Sequence, residues 1–387
     1  MNAGARFSNL MLREKFRARF GRAPEIIAEA PGRIEFIGNH TDYNGGLVLG
    51  AAIEQRVQAG LARRPDGEWR FSREHSDAII TVAGGRMEKR VGAESWVNYP
   101  LGVLCALKAF GCALPGGFDY MVVADLPEGA GLSSSAAIEL ASALGFLALT
   151  NNTLPRERLV ALARWAENEF VGVPCGILDQ GVSAFGRRDH LVLIDCAEPT
   201  FETIPLPPSA RFWLFNTRIK HALIEGLYAA RHHECMEAAR ALGVATLREA
   251  RPEMVVTARL TPELRRRAQH VTQEIDRVRA TLAALRVNDL AAVGGLLVAS
   301  HRSSKLLFEN STTELDFLVE VLAGMPGVFG ARLTGGGFGG AVMALTSPEF
   351  GEAQTRGVVD AYRDRFGRAL EVLAARTGDG AGVVKDF

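Results

Sequence analysis

The spacing of apolar and polar positions predicts both strands and helices along the whole chain. Leu12, Phe16 and Phe20 recur every four residues, with Glu14 among basic neighbours, and predict a short amphipathic first helix. Residues 47–60 (LVLGAAIEQRVQAG) and 118–124 (FDYMVVA) read as strands. Residues 135–149, rich in Ala and Leu, read as a buried helix, and 155–170 as another with Leu159, Leu162, Ala163 and Ala166 on one face. Ser183 to Cys196 reads as a strand hairpin around Arg187-Arg188-Asp189. Pro205 to Pro208 suits neither a helix nor a sheet interior and predicts a domain crossing. Helical patterns follow at 221–242, 261–285, 288–301 and 313–323; a strand, a glycine turn, a strand, a helix and a strand then close the chain. Mixed elements in both halves predict an α+β fold of two domains, 1–207 and 208–387.

A length of 387 residues agrees with two domains. Lys plus Arg and Asp plus Glu both number 44, so no basic excess points to nucleic acid or an anionic membrane. No apolar run approaches the width of a bilayer. Several early Arg residues invite a transit-peptide reading, but the apolar spacing and Glu14 favour the helix. The five cysteines (Cys105, Cys112, Cys175, Cys196 and Cys235) form no CxxC pair, which suggests neither a disulfide framework nor a zinc site and fits a reducing cytoplasm.

Four segments carry candidate chemistry. Leu126 to Ala137 (LPEGAGLSSSAA) lies between a predicted strand and a helix. Its glycines free the backbone, and its three serines stand at a helix N-terminus, where free N–H groups and the helix dipole attract anions. It lacks the lysine of a P-loop. A serine-capped turn is the plain alternative, and the length and strand–helix setting favour the phosphate cradle. Ala30 to Gly46 (APGRIEFIGNHTDYNGG) crowds Arg33, Asn39, His40 and Asp42 between glycines, a mixture of donors and acceptors that suits a polyol. Within it Asn44-Gly45 reads locally as a hairpin turn, and His40 has no second His at ligand spacing. Gly172 to Gln180 (GVPCGILDQ), preceded by Ala166-Glu167-Asn168, offers Asp179 either as a buried acid of shifted pKa or as a helix cap. Thr334 to Gly340 (TGGGFGG) lets backbone approach a ligand or another loop closely, as a plain hairpin turn also would.

Together these segments resemble the GHMP kinases and, within them, the galactokinases, from end to end of the chain. Arg33 to Gly46 resembles the signature GR-x-x-x-IGEHTDYNGG, Gly129 to Ala137 the second family motif, and Thr334 to Gly340 the third, TGAGFGG. Trp96-Val97-Asn98-Tyr99, Gly172 to Gln180, Tyr228 with Arg231 and Cys235, and Glu314-Leu315-Asp316 also look like galactokinase landmarks. The resemblance implies a two-domain GHMP kinase fold with the active site in the cleft between the domains. It implies phosphorylation of the C1 hydroxyl of galactose by ATP, giving ADP and α-galactose 1-phosphate. Asp179 would be the catalytic base, and Arg33 would partner it and stabilise charge on the transferred group. Ser135 and Glu167 would ligate Mg²⁺ as hard oxygen donors. Gly129, Ala130, Gly131, Leu132, Ser133, Ser134 and Ser135 would wrap the phosphates, and Ser72 would lie near the nucleotide. Asn39, His40, Thr41, Asp42 and Tyr228 would line the sugar pocket. The expected partners are galactose and ATP, for a cytoplasmic monomer with a weak dimer as the alternative.

Three positions depart from the family pattern. Asn39 stands where the family has Glu, Ile34-Glu35-Phe36 where it has Val-Asn-Leu, and Gly336 where it has Ala. Asn39 is expected to meet a sugar hydroxyl and to broaden the accepted sugars, since Asn donates as well as accepts. Two other functions compete: a kinase of the same superfamily for N-acetylgalactosamine, arabinose or a uronic acid, and a catalytically silent sugar sensor. The sensor reading is disfavoured by Ala136-Ala137, Arg33, Glu167 and Asp179, all present.

Overall fold

The structure, a computed structural model, describes residues 9–127, 129–219 and 224–384. Its elements are α1 (Asn9–Phe20), β1 (Ile26–Ile37), β2 (Leu47–Arg64), β3 (Glu68–Arg73), β4 (Ile80–Ala83), α2 (Asn98–Ala109), β5 (Gly117–Ala124), α3 (Ser134–Leu149), α4 (Arg156–Trp165), α5 (Leu178–Phe185), β6 (His190–Asp195) and β7 (Thr200–Pro205). They continue with β8 (Arg211–Asn216), α6 (Ile224–Leu242), α7 (Pro252–Thr257), α8 (Pro262–Arg286), α9 (Leu290–Ser303), α10 (Thr313–Ala323), β9 (Val328–Thr334), β10 (Ala341–Thr346), α11 (Glu352–Phe366), β11 (Glu371–Ala375) and β12 (Gly382–Val383). The start of the helix expected at 221, and Glu128 of the serine-rich loop, lie outside the described residues.

The 18-residue β2 organises the larger sheet. Its first residues pair with β6, its last eight with β5, and β1 runs antiparallel along most of its length. The path β12-β1-β2-β5-β3-β4 with β6 and β7 makes eight strands, parallel only between β3 and β5. Alternate residues of these strands face opposite sides. One side packs on α2 to α5 through Leu61, Phe71, Phe118, Leu104, Leu140 and Phe146. The other side, at the first half of β1 and the ends of β2 and β5, receives Leu12 and Phe16 of α1 against Ile27, Ala62 and Val123, as the four-residue spacing requires.

The second sheet, β11-β8-β10-β9, is antiparallel throughout. Phe215, Leu333 and Val342 on one face bury α10 and α11. Phe212, Leu214 and Met343 on the other meet Phe36, Leu49 and Ile53 of the first sheet together with Val278, Val293 and Leu297 of α8 and α9. The two sheets therefore share a continuous apolar core rather than touching across a wet cleft. β12 belongs to the first sheet, so the chain crosses between the sheets after β7 and again near its end. No described helix is long and apolar enough to cross a membrane.

Several expectations need correction. Ser183 lies in α5, not in a strand; Leu178, Val182 and Phe185 follow helical spacing and the 187–189 turn joins α5 to β6, whose hairpin partner is β7. Asn44-Gly45 is not a two-residue hairpin turn. The β1–β2 connection runs from residue 38 to 46 and holds a single 3₁₀ turn, Asp42–Asn44, closed by Gly45 in the left-handed region. The helix expected over 155–170 ends as α4 at Trp165, and the chain continues in a wide π-helical turn, Ala166–Val171, that carries Glu167. Ser304–Phe308 is a second such turn, after α9. Wide turns of this kind cost backbone hydrogen bonding and concentrate at functional sites. β1 carries no clean alternation because Pro31 and Gly32 interrupt it; the pairing with β2 slips between Pro31 and Arg33, where the missing Pro N–H is harmless.

Helix α9 lies against β9 by virtue of small residues. A Cβ on Gly294 would fall 1.8 Å from the Phe329 carbonyl oxygen, and one on Gly330 would fall 2.2 Å from that of Gly294. Backbone cannot yield as a flexible side chain does. Gly294→Ala should therefore lower stability by roughly 1–3 kcal/mol, the usual range for overpacking. The measurement is a denaturant midpoint, and a midpoint equal to wild type would show that this contact is not tight.

Candidate active site

The slip in β1 turns Arg33 toward the start of α3. Its backbone N–H bonds the Leu132 carbonyl at 3.1 Å, tying the strand to the serine-rich loop. The guanidinium then donates from Nη1 to the Gly131 carbonyl at 2.5 Å, and from Nε and Nη2 to Oδ1 of Asp179 at 2.9 and 2.7 Å. Ser133, in the left-handed region at the cap of α3, donates from Oγ to the other carboxylate oxygen at 2.5 Å. Both oxygens of Asp179 are thus held, while the side chain keeps 26% exposure. Asp179 is the second residue of α5, not its cap.

Asp179 borders a cavity of about 730 Å³. Arg33, Glu35, Asn39, His40 and Asp42 line it from the first segment, Gly129 and Gly131 from the loop before α3, and Glu167 with residues 172–176 from beyond α4. Ile219, Tyr228, Ala229, Thr334 and the glycines at 336, 337, 339 and 340 close it from the second half of the chain. All four sequence segments therefore converge on one space.

Beside the cavity the carboxylates outnumber their partners. Burial raises the Glu167 carboxyl above its ordinary value, and the nearby Asp179 raises it further; hydrogen bonds from Ser135, Cys175 and Gln180 oppose this. Glu139, also raised by burial and by Glu167, has an Oε1 atom buried without a partner among the described residues. An excess of buried negative charge with an orphaned oxygen fits a cation. No three His, Cys, Asp or Glu side chains among the described residues could hold a metal alone. A hard cation here would use Ser135, Glu167 and oxygens supplied by a ligand, as Mg²⁺ does with phosphates.

In the loop before α3, Ala130 and Leu132 point into the core shared by the two sheets, so only their backbone faces outward. Ser134 is exposed at the first turn of α3. Gly129 and Gly131 reach the cavity, whereas Ala130, Leu132, Ser133, Ser134 and Ser135 are not among its lining residues. Ser72 lies fully buried in β3 with its hydroxyl unpartnered among the described residues, also off the cavity wall.

The residues expected to hold a sugar separate into two groups. Asp42 faces the cavity; its Oδ1 accepts from the Tyr43 N–H at 2.9 Å, and burial followed by repulsion from Asp179 raises its carboxyl. Gly176 makes room for it, since a Cβ there would sit 1.6 Å from Oδ2. Tyr228 also faces the cavity, with a hydroxyl that burial keeps protonated and able to donate. The Gly336 departure serves this ring, because a Cβ at 336 would come within 3.2 Å of it. His40 touches the cavity but spends its nitrogens inside the protein: Nε2 donates to the Gly336 carbonyl at 3.0 Å, and Nδ1 accepts from the Tyr43 hydroxyl at 2.9 Å. Thr41 is buried off the cavity, its hydroxyl 2.8 Å from the Gly38 and Leu47 carbonyls, and it closes the loop rather than lining the pocket.

Asn39 differs most from expectation. Its side chain is fully buried and all its hydrogen-bonding capacity is used. Nδ2 donates to Glu35 Oε1 at 2.8 Å and to the Gly335 carbonyl at 3.0 Å; Oδ1 accepts from Asn310 at 2.8 Å and Ser304 at 3.2 Å. Nothing is left for a sugar hydroxyl. Glu35, which sequence reasoning passed over as a site residue, lines the cavity as well. The missed signal was its position two residues after Arg33, on the same face of a strand.

Residues 14–63 match the galactokinase galactose-binding signature, residues 98–187 the N-terminal domain of the GHMP kinases, and residues 281–366 their C-terminal domain. The chain is 38% identical over 384 residues to a galactokinase of Roseiflexus sp. (strain RS-1), covering 97% of each chain. It is 37% identical over 389 residues to the galactokinase of Homo sapiens, covering 96% of this chain and 95% of that one. A crystal structure of Lactococcus lactis galactokinase complexed with galactose matches with a TM-score of 0.93 and 33% identity, over 96% of this chain and 99% of that one. A Methanococcus jannaschii mevalonate kinase, at a TM-score of 0.64 and 17% identity over 91% of this chain and 98% of that one, shares the fold.

Two buried histidines tie the loop after β1 to the second half of the chain. Burial lowers His40 from 6.5 to about 3, and lowers His270, which donates from Nε2 to the Asn39 carbonyl, to about 4. Both rings are neutral when folded, so the unfolded chain binds more protons between those values and 6.5. Stability should be full above pH 6.5 and should fall as pH drops from there toward 4. Denaturant midpoints between pH 7 and pH 5 should trace this decline, and His270→Gln should flatten it. A variant profile parallel to wild type would remove His270 as its source.

Proposed function

The chain belongs to the galactokinase family of the GHMP kinases, and from that premise we propose that it transfers the γ-phosphoryl group of ATP to the C1 hydroxyl of galactose, giving ADP and α-galactose 1-phosphate. One observation carries the mechanism: a mostly buried carboxylate at the cavity wall, Asp179, is gripped on one oxygen by Arg33 and on the other by the serine that caps α3. Such a group is oriented before substrate arrives, which removes an entropic cost from the reacting complex. Asp179 takes or orients the proton of the C1 hydroxyl, and Arg33 faces the charge that develops on the phosphoryl oxygens.

The N-terminus of α3 offers its free N–H groups and positive dipole end to the ATP phosphates. Gly129 to Ser135 form that cradle through backbone, since Ala130 and Leu132 are anchored in the core. Ser135 and Glu167 are the side chains we assign to Mg²⁺, which when bound would neutralise charge on the ATP phosphates. Asp42 and Tyr228 receive the sugar, with His40 and Thr41 shaping the loop that presents Asp42. A cavity edged by Glu35, Asp42, Glu167 and Asp179 repels an acidic substituent, which argues against a uronic acid. The β7–β8 connection marks the boundary between the two kinase domains. The expected setting is a reducing cytoplasm, from cysteines whose sequence spacing forms no CxxC pair.

Incubation with galactose and Mg-ATP under coupled ADP detection should give turnover; a silent sensor gives none. Asp179→Asn should retain ATP binding yet lose roughly 10²–10⁴-fold in kcat, the range of general-base catalysis. Wild-type turnover in that variant would remove Asp179 from the role. Ser135→Ala and Glu167→Gln should each raise the Mg²⁺ concentration needed for half-maximal rate, because each removes an oxygen ligand or its charge. Superimposable metal titrations would show that the ligands lie elsewhere.

A further inference from the structure

Two of the three departures from the family pattern turn out to be one exchange. The family signature has Asn at position 35 and Glu at position 39; this chain has Glu35 and Asn39. In the structure the two side chains bond directly, Asn39 Nδ2 donating to Glu35 Oε1 at 2.8 Å. An amide and a carboxylate have traded places across a hydrogen bond that either order can make. The trade keeps the bond and the net charge but moves the acid from the loop onto β1.

At its new place the acid is only half used. Glu35 is 4% exposed, and Oε1 accepts from both Asn39 and Nη2 of the buried Arg332 at 3.1 Å. Oε2 has no protein partner among the described residues, and Glu35 lines the cavity. The backbone at Glu35 is clamped by Thr334, whose hydroxyl lies 3.0 Å from its N–H and 3.1 Å from its carbonyl, so the side chain projects from a rigid point. Arg33 and Glu35 are two residues apart on a regular part of β1 and face the same side, about 7 Å apart. Arg33 addresses the Asp179 end of the cavity, and Glu35 therefore addresses a different part of whatever fills it. Asn39, with no free donor or acceptor, is a positioning residue that holds Oε1 and leaves Oε2 aimed outward.

We propose that Glu35 is a sugar-binding residue whose Oε2 accepts a hydrogen bond from a hydroxyl of the substrate other than the one phosphorylated, so that it helps decide which sugars are accepted. This rests on the reading of the chain as a galactose kinase. An ionised carboxylate only accepts, and sugar hydroxyls are its natural donors. Charge-assisted bonds of this kind are stronger than neutral ones.

The test measures kcat and KM of the full chain with galactose and with 2-, 3-, 4- and 6-deoxygalactose, for wild type, Glu35→Gln and the exchange Glu35→Asn/Asn39→Glu. Glu35→Gln should raise KM for galactose about tenfold with a smaller change in kcat, as loss of a charged hydrogen bond made equally in ground and transition state predicts. For the one deoxy sugar that lacks the bonded hydroxyl, this loss should vanish. The exchange variant preserves the buried amide–carboxylate bond, so it reports even if Glu35→Gln does not fold; its ranking of the deoxy sugars should differ from wild type. If Glu35 only pairs with Arg332 and Asn39, Glu35→Gln will unfold at lower denaturant while every kcat/KM ratio among the sugars stays as in wild type. That result, or an exchange variant with the wild-type ranking, overturns the proposal. Wild type that turns over no galactose overturns the kinase reading as well, and so is distinguishable from failure of Glu35 alone.

Discussion

The ion pair between Arg33 and Asp179 spans 146 residues of sequence and can form only if three separate segments meet. β1 must slip at Pro31 to turn Arg33 inward, the loop before α3 must place Gly131 and Ser133 beside it, and α5 must begin where Asp179 can receive both. Each partner satisfies a group that would otherwise be costly to bury. An Arg at 6% exposure needs acceptors for its fork; Oδ1 of Asp179 accepts from both Nε and Nη2, and the Gly131 carbonyl accepts from Nη1. The same contacts that make the burial tolerable also orient the acid, so packing and chemistry are one arrangement.

A second buried network fixes the far wall. Glu274 of α8, whose carboxyl is lowered to about 2 with Arg277 as the leading stabilising charge, accepts the N–H groups of Gly38 and Asn39 and the Ser300 hydroxyl. Together with His270, Arg332 and Asn310 it locks the loop after β1 to α8, α9 and β9. The loop after β1 is thereby referenced to the second half of the chain, while Arg33 on β1 is referenced to α3 and α5. The cavity lies between these two anchor points, and the shared apolar core behind it leaves little freedom for the halves to slide.

The electrostatic character of the cavity follows from what those networks leave over. Asp42, Glu139 and Glu167 are raised by burial first and by one another or by Asp179 second. A site that holds like charges close together in low dielectric is unstable toward protons or cations. Carboxyls placed so close favour a proton or a cation between them and disfavour a further anion. Glu167 is held, buried, on the wide π-helical turn that follows α4.

By itself the sequence determined a good deal. Apolar spacing over α8 and α10, and near-continuous apolar runs over α3, β2 and β5, placed those elements, because burial demands apolar residues whatever the fold. Glycine and serine clusters marked the segments where backbone must approach a ligand, and these converge as their chemistry suggests. What sequence could not decide was whether a polar residue turns toward the cavity or toward the protein. Asn39, His40 and Thr41 look like ligands in one dimension; the structure engages their polar groups with Glu35, Gly336 and Leu47. Ser183 was misassigned because eight residues of α5 are too few to separate a helical from an alternating pattern. The free oxygen of Glu35 depends on partners at positions 39, 332 and 334 and on a slip in strand register. A side chain's free oxygen is defined only after its neighbours have taken the others, and those neighbours are set by tertiary contacts that local sequence does not encode.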